Sequence, residues 1–376
     1  MIYFDHHAAT PPSHLALQAM HEAEKLGWAN PSSVHQAGQR ARALLEKARS
    51  QIATALGAAS ADIVLTAGGT EACNLGLIGL AGFSPKHVIV SAIEHPAVSA
   101  TATRWHEQGS KVTRLPVPQG IPPSAEQLAA LITAETELVA IQWVNHECGS
   151  IFPIADYAEV CKEKKLPFFV DATQAVGKIP VSIEKLPISA LACASHKIGG
   201  PCGAGALYIR RDAPFTSLLE GGSQERGRRP GSHDVIAAVG FGAAMNDIEN
   251  RLAAMQEVRV LRDDLEAHVK SLGAHINAEQ SKRVPTVCNA SFPDLKGELL
   301  VAALDIEGLC VSGGSACTSG LSTGSAILRA MYPEEAWRSE NALRMSLAPI
   351  TSRDEVQSAK ALLSQVIERM QQKKLK

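Results

Sequence analysis

Residues 188–201 read ISALACASHKIGGP, an apolar run of small residues that ends in Ser195-His196-Lys197 and a Gly199-Gly200-Pro201 turn. A short, nearly continuous apolar run closed by turn residues describes a strand buried on both faces. Such strands belong to mostly parallel sheets covered by helices, which places Lys197 at the carboxyl end of a strand. Ligands of open α/β sheets bind at those ends. A lysine there, flanked by apolar strands, is placed to form a Schiff base. The plain alternative is a surface-loop lysine.

Outward from this segment the same pattern repeats. Apolar, β-rich runs at 62–66, 87–93, 112–117, 138–144 and 168–171 precede it, separated mostly by helical stretches such as 97–107, 125–131 and 154–164. Residues 35–56 show helical periodicity, with Ser32 or Ser33 available as N-cap. A further strand at 205–211 follows too closely for a helical crossover and is expected to pair antiparallel. The fold class is therefore α/β, with a mostly parallel seven-stranded sheet between helices. A long helical pattern at 236–272 leads out of this unit. Shorter elements follow: strands near 290–292, 309–312 and 343–347, and helices at 297–304 and 353–370. The expected domains are a large one at 15–255 and a small one formed by 1–14 and 256–376.

The 376 residues carry a net charge of −2, with 45% apolar and 20% charged residues. That balance gives no electrostatic reason to expect direct nucleic-acid or membrane binding. No apolar run approaches the ~20 residues that cross a bilayer, and the opening MIYFDHHAAT does not resemble a secretory signal. The eight cysteines form no CxxC pair and no cluster at metal-ligand spacing. Neither a metal site nor a disulfide framework is expected, and the compartment is read as the reducing cytoplasm.

The other chemistry-bearing segments also sit at strand ends. Phe168-Phe169-Val170-Asp171 delivers a carboxylate suited to the pyridine nitrogen of pyridoxal phosphate, with Gln174 one turn on for the phenolic oxygen; alternatively Asp171 is a helix N-cap. Ala67-Gly68-Gly69-Thr70-Glu71 joins a strand to an apolar helix, so Gly69 and Thr70 are candidate phosphate contacts at a helix N-terminus. The chain holds neither a GxGxxG fingerprint nor a P-loop. His95, in Glu94-His95-Pro96, can lie on a cofactor ring and move protons, unless it is structural. Ser312-Gly313-Gly314-Ser315-Ala316-Cys317-Thr318-Ser319-Gly320 is small, polar and glycine-rich. A mobile loop is expected there, with Cys317 the one cysteine in an exposed setting and therefore a candidate reactive thiol. Arg344, alone among apolar residues in Ala342-Leu343-Arg344-Met345, suits capture of an amino-acid carboxylate or a structural ion pair.

In this order the residues resemble the cysteine desulfurase family, within the aminotransferase class V group of fold-type-I pyridoxal-phosphate enzymes. The likeness runs through Tyr3-Phe4-Asp5-His6-His7-Ala8-Ala9-Thr10-Pro11, Asn30-Pro31-Ser32-Ser33-Val34-His35, Asn145-His146-Glu147-Cys148-Gly149-Ser150 and Gly222-Ser223-Gln224-Glu225-Arg226-Gly227. The Ser-Ala-Cys-Thr-Ser loop, with its spacing to Ile327-Leu328-Arg329, is similar to the nitrogen-fixation and iron–sulfur type. The resemblance implies removal of sulfur from L-cysteine, giving alanine and a persulfide on Cys317 for a protein acceptor. It implies pyridoxal phosphate on Lys197, with phosphate contacts from Ser195 and His196, and Asn145 beside Arg344 at the substrate. It also implies a homodimer in which Ser232 reaches the neighbouring subunit's phosphate.

The chain departs from the family pattern at several places. Serine falls at 195 rather than 194, His146 replaces the second Asn of Asn-Asn-Glu, and Cys148 and Cys202 are unexpected. Ser322-Thr323-Gly324 replaces the usual acidic and proline residues. Competing readings are a selenocysteine lyase, another class V enzyme, or a non-catalytic scaffold paralogue.

Overall fold

A computed structural model of the chain describes residues 1–313 and 324–374. Cys317, with the rest of 314–323, lies outside the described residues. The strands are β1 (Ile2–Tyr3), β2 (Ile63–Thr66), β3 (His87–Ser91), β4 (Lys111–Leu115), β5 (Thr136–Gln142), β6 (Phe168–Asp171), β7 (Ala190–Ala194), β8 (Gly205–Ile209), β9 (His275–Ile276), β10 (Val287–Ser291), β11 (Leu309–Cys310) and β12 (Ala342–Ser346).

Seven of them form one sheet in the order β2-β8-β7-β6-β5-β3-β4. β8 runs antiparallel to both neighbours, as the short connection from β7 requires, and the other pairs are parallel. Every residue of β3, β6, β7 and β8 is buried. β4, at the edge, is partly exposed and carries Lys111 and Arg114, charges that discourage pairing with another chain. Alternate side chains feed two apolar layers. Ile89, Val139, Val170 and Leu191 face one side; Val88, Leu138, Phe169 and Ala192 face the other.

Helices cover both faces. The helix Gln36–Leu56 begins as expected, but its N-cap is His35, whose Nδ1 accepts from Gly38 N at 3.2 Å, in place of Ser32 or Ser33. The 236–272 pattern is three helices, Val235–Asn246, Ile248–Ala253 and Met255–Ser271. Asp247, at φ −96° and ψ 11°, breaks the first from the second. The periodicity survived the break because short helices keep their local i, i+3 spacing while the axis turns. The first of the three packs into the large sheet's core through Val235, Phe241 and Met245. The third joins a separate apolar cluster with Phe4, Leu300, Leu343, Met345 and Leu363. That cluster surrounds the sheet β12-β10-β9, and β1 pairs in parallel with β11. Among the described residues no helix is long and apolar enough to cross a membrane.

Candidate active site

The carboxyl ends of β2, β3, β5, β6 and β7 open onto one cavity of about 550 Å³, within the range of small-ligand sites. Lys197 stands on the turn Ser195–Lys197 after β7, and its Nζ donates to His7 O at 2.6 Å and Ala8 O at 2.7 Å. Asp171 ends β6, with Oδ1 accepting from Thr173 N at 2.9 Å. Gln174 donates from Nε2 to His7 O at 2.9 Å, while its Oε1 accepts from the buried Lys178. Burial, with Lys197, Arg251 and Arg344 nearby, pushes the Lys178 ammonium well below its ordinary pKa. Gly69, Thr70, His95, His196 and Arg344 line the same cavity.

The glycine turn after β2 is shaped for close approach. A Cβ on Gly205 would lie 2.6 Å from the carbonyl carbon of Gly68, so β8 passes the turn only as glycine. Beside Gly68 itself there is open space. The helix Gly69–Ala81 starts here, and its first backbone bond within the helix runs from Ala72 N to Gly68 O. The first amides of a helix have no intrahelical acceptor, and the helix dipole there favours negative charge.

His95 caps the helix Pro96–Glu107, its Nδ1 accepting from Ala97 N at 3.1 Å. Burial lowers its pKa, Asp171 opposes that shift and Lys197 adds to it. His196 is lowered to about 4 by burial and by Lys197, Lys178 and His95. Arg344 donates from Nη2 to Asp5 at 2.7 Å and from Nη1 to His146 O at 3.3 Å, whereas its Nε has no partner. It thus makes the structural ion pair and still has donor capacity at the cavity.

Two expected residues lie elsewhere. Asn145 is fully buried and spends its amide on backbone: Oδ1 accepts from Glu147 N and Cys148 N, both at 2.9 Å, and Nδ2 donates to Ile93 O at 3.0 Å. It closes the turn, and the next residue, His146, faces the cavity instead. Ser195 is also fully buried; its Oγ points at Gly200, where an added Cβ would collide with it, and Ala194 takes the place on the cavity wall. Ser232, which the resemblance assigns to a neighbouring subunit's phosphate, lines a separate small cleft with Arg229 and His233. Cys202, in turn, is exposed at the cavity, so Cys317 is not the one cysteine in an exposed setting. Cys148 is wholly buried against Asn145 and Ser150, and its thiol pKa is raised by burial. Among the described residues no cluster suits a metal ion.

Comparison with known proteins matches residues 2–358 to the family described as Aminotransferase class-V. The chain belongs to the class V aminotransferase family. A protein of Enterobacter agglomerans named "Cysteine desulfurase" is 35% identical over 376 residues, covering 98% of this chain and 93% of that protein. Among solved class V relatives, a "NifS-like protein" superposes with a TM-score of 0.90 at 32% identity, covering 98% of this chain and 99% of its own. The structure titled "SspA in complex with cysteine" gives a TM-score of 0.82 at 31% identity, over 94% of this chain and all of its own. The class V fold, with its mostly parallel seven-stranded sheet, is the one described above.

Proposed function

We propose that this class V enzyme is a cysteine desulfurase that takes the sulfur from L-cysteine, releases alanine and holds the sulfur as a persulfide on Cys317 for a protein acceptor. The observation that carries this is the convergence of Lys197, Asp171 and Arg344 on one cavity beside an anion-ready helix start. Relatives named cysteine desulfurase along the whole chain support it.

The residues fit pyridoxal phosphate: the open space beside Gly68 leaves room for a phosphate, Lys197 can hold the aldehyde carbon, and Asp171 can keep the pyridine nitrogen protonated. When bound, that group supplies an electron sink for bonds at the substrate's α-carbon. Thr70, His196 and the amides of the helix Gly69–Ala81 would receive the phosphate. Gln174 would offer its amide's remaining N–H to the phenolic oxygen, and His95 would border the ring. Arg344 takes the amino-acid carboxylate. The Cys317 thiolate attacks the substrate sulfur; an S–S bond forms as the carbon–sulfur bond breaks, and the carbon side is protonated to alanine. In a homodimer, Ser232 would serve the neighbouring subunit's phosphate. The seven free thiols among the described residues suit the cytoplasm.

The test is to supply L-cysteine, pyridoxal phosphate and a thiol reductant and to quantify both products. Equal amounts of sulfide and alanine are expected. Alanine without sulfide, or neither product, contradicts the proposal.

A further inference from the structure

His146 stands in the cavity wall with neither ring nitrogen hydrogen-bonded, although the residue is only 7% exposed. Its backbone is fixed: the carbonyl accepts from Arg344 Nη1 at 3.3 Å and lies 3.2 Å from His7 Nδ1. The ring's polar atoms take no part in this anchoring. A buried polar atom left unpaired costs free energy that a ligand recovers by completing it. Behind the ring is a second orphan, the wholly buried Glu147 Oε1, 3.9 Å from His146 Nε2. The other Glu147 oxygen accepts from Ser325 Oγ at 2.6 Å. An imidazole facing a cavity with a carboxyl behind it can accept a proton and stabilise the cation that forms.

His95, the imidazole expected to move protons, is held differently. The Ala97 amide donates to its Nδ1, which occupies that lone pair and leaves the neutral ring's proton on Nε2. So held, His95 presents a donor to the cavity and no free lone pair. His146 lies edge-on to it, ring centroids 5.0 Å apart, and keeps one.

We propose that His146, backed by Glu147, is the proton acceptor of the cavity: it takes the proton of the entering amino acid's ammonium and returns it to the amine of the departing product. This rests on the function proposed above. On entry an ammonium N–H bond breaks, its electron pair stays on nitrogen, and the proton joins the ring's lone pair. The reverse transfer on exit restores both partners, so no proton or electron is consumed. Arg344, bonded to the His146 carbonyl, brings the carboxylate and its adjacent ammonium to this wall. Burial, then His95, Arg344 and Lys197, keep the His146 pKa well below its ordinary value. The ring therefore awaits substrate in its neutral, accepting form. The groups around it are His95 before the helix Pro96–Glu107, Arg344 on β12, Lys197 after β7, His7 near the N-terminus and Glu147 beside it. The entering carboxylate favours the protonated ring once the proton arrives; burial raises the pKa of Glu147, with Ser325 and Arg344 opposing that shift.

His146→Asn places a neutral amide there that does not exchange protons. The expected result in the cofactor-loaded enzyme is a loss of about 100-fold in kcat/KM for L-cysteine at neutral pH, with partial rescue by added imidazole. The decline of the native enzyme towards acid, as His146 protonates, should vanish in the variant. Retained cofactor absorbance and thermal melting confirm its fold. Independently, ¹⁵N NMR of the histidines in the cofactor-free chain is expected to show His95 locked with its proton on Nε2 and His146 unlocked. Unchanged kcat/KM, or a loss with the pH profile intact and no rescue, overturns the proposal. So does a His95 ring with a free Nδ1, a result available even if the variant does not fold. Should the native enzyme release no alanine from cysteine, the desulfurase proposal fails instead, and the NMR result still judges His146.

Discussion

Ser312 and Arg344 exchange two backbone hydrogen bonds, Ser312 N to Arg344 O at 3.1 Å and Arg344 N to Ser312 O at 2.7 Å. The residue whose guanidinium reaches the cavity thereby holds the chain just upstream of the segment that carries Cys317. Downstream, Ser325 Oγ donates to Glu147 at 2.6 Å and also caps the helix Ala326–Met331. Ser312 and Ser325, the described residues that flank 314–323, are therefore fastened to Arg344 and beside His146 respectively.

Arg344→Lys should separate substrate capture from cofactor retention. Lysine keeps the charge but loses the fork that reaches Asp5, the His146 carbonyl and a carboxylate together. A charge-assisted hydrogen bond contributes about 1.5–3 kcal/mol, so kcat/KM should fall by about tenfold or more. The rise should lie mainly in KM, with the cofactor absorbance unchanged. Steady-state kinetics at several cysteine concentrations checks this.

Glu225→Gln should remove an acid-sensitive part of stability. Glu225 accepts from Arg49 Nη2 at 2.8 Å and Leu65 N at 2.8 Å, and also pairs with His233. Burial alone would raise its pKa, but these partners hold it at about 2 against an ordinary 4.5. A carboxyl depressed in this way contributes stability above its unfolded pKa and loses it as pH falls from 4.5 through about 2. Breaking the buried pair should cost about 3–5 kcal/mol at neutral pH. Urea melts should show the native protein and the variant converging as the pH is lowered. The neighbouring Glu225 and Arg226 have φ of 48° and 58°, and this strained turn needs the anchor.

Gly205→Ala should damage the phosphate turn from beneath. Its Cβ would press on the Gly68 backbone, at 2.6 Å from the carbonyl carbon and 2.8 Å from Cα. Overpacking of this kind costs about 1–3 kcal/mol. Retention of pyridoxal phosphate on dilution should weaken more than the melting temperature does, because the displaced atoms border the anion's space. Absorbance after gel filtration reads the first quantity and calorimetry the second.

The sheet was legible because parallel strands buried on both faces are written as continuous apolar runs, and every such run from 62 to 194 overlaps an observed strand. The short link after β7 likewise announced the antiparallel β8. Strand ends were legible as places, which is why Asp171, Lys197 and His95 arrive at one cavity. Which side chain of a pair turns inward was not legible where regular periodicity stops. Residues 143–151 form a turn closed by Asn145, and no period of two distinguishes Asn145 from His146 there. At Ala194 and Ser195 a strand gives way to a tight helical turn, which turns the serine away from the cavity. Cys202 follows a Gly-Gly-Pro turn whose direction no local pattern encodes. The N-cap falls at His35 and not at the commoner serine, because its imidazole nitrogen accepts the same kind of amide bond.

The most direct measurement compares sulfide and alanine release from L-cysteine by the native protein and by Cys317→Ala, each loaded with pyridoxal phosphate and given a thiol reductant. The account predicts equimolar products from the native protein. In the variant it predicts loss of sulfide release with the cofactor absorbance retained. Equal sulfide release by both would contradict it, because the sulfur would then leave the substrate without passing through Cys317.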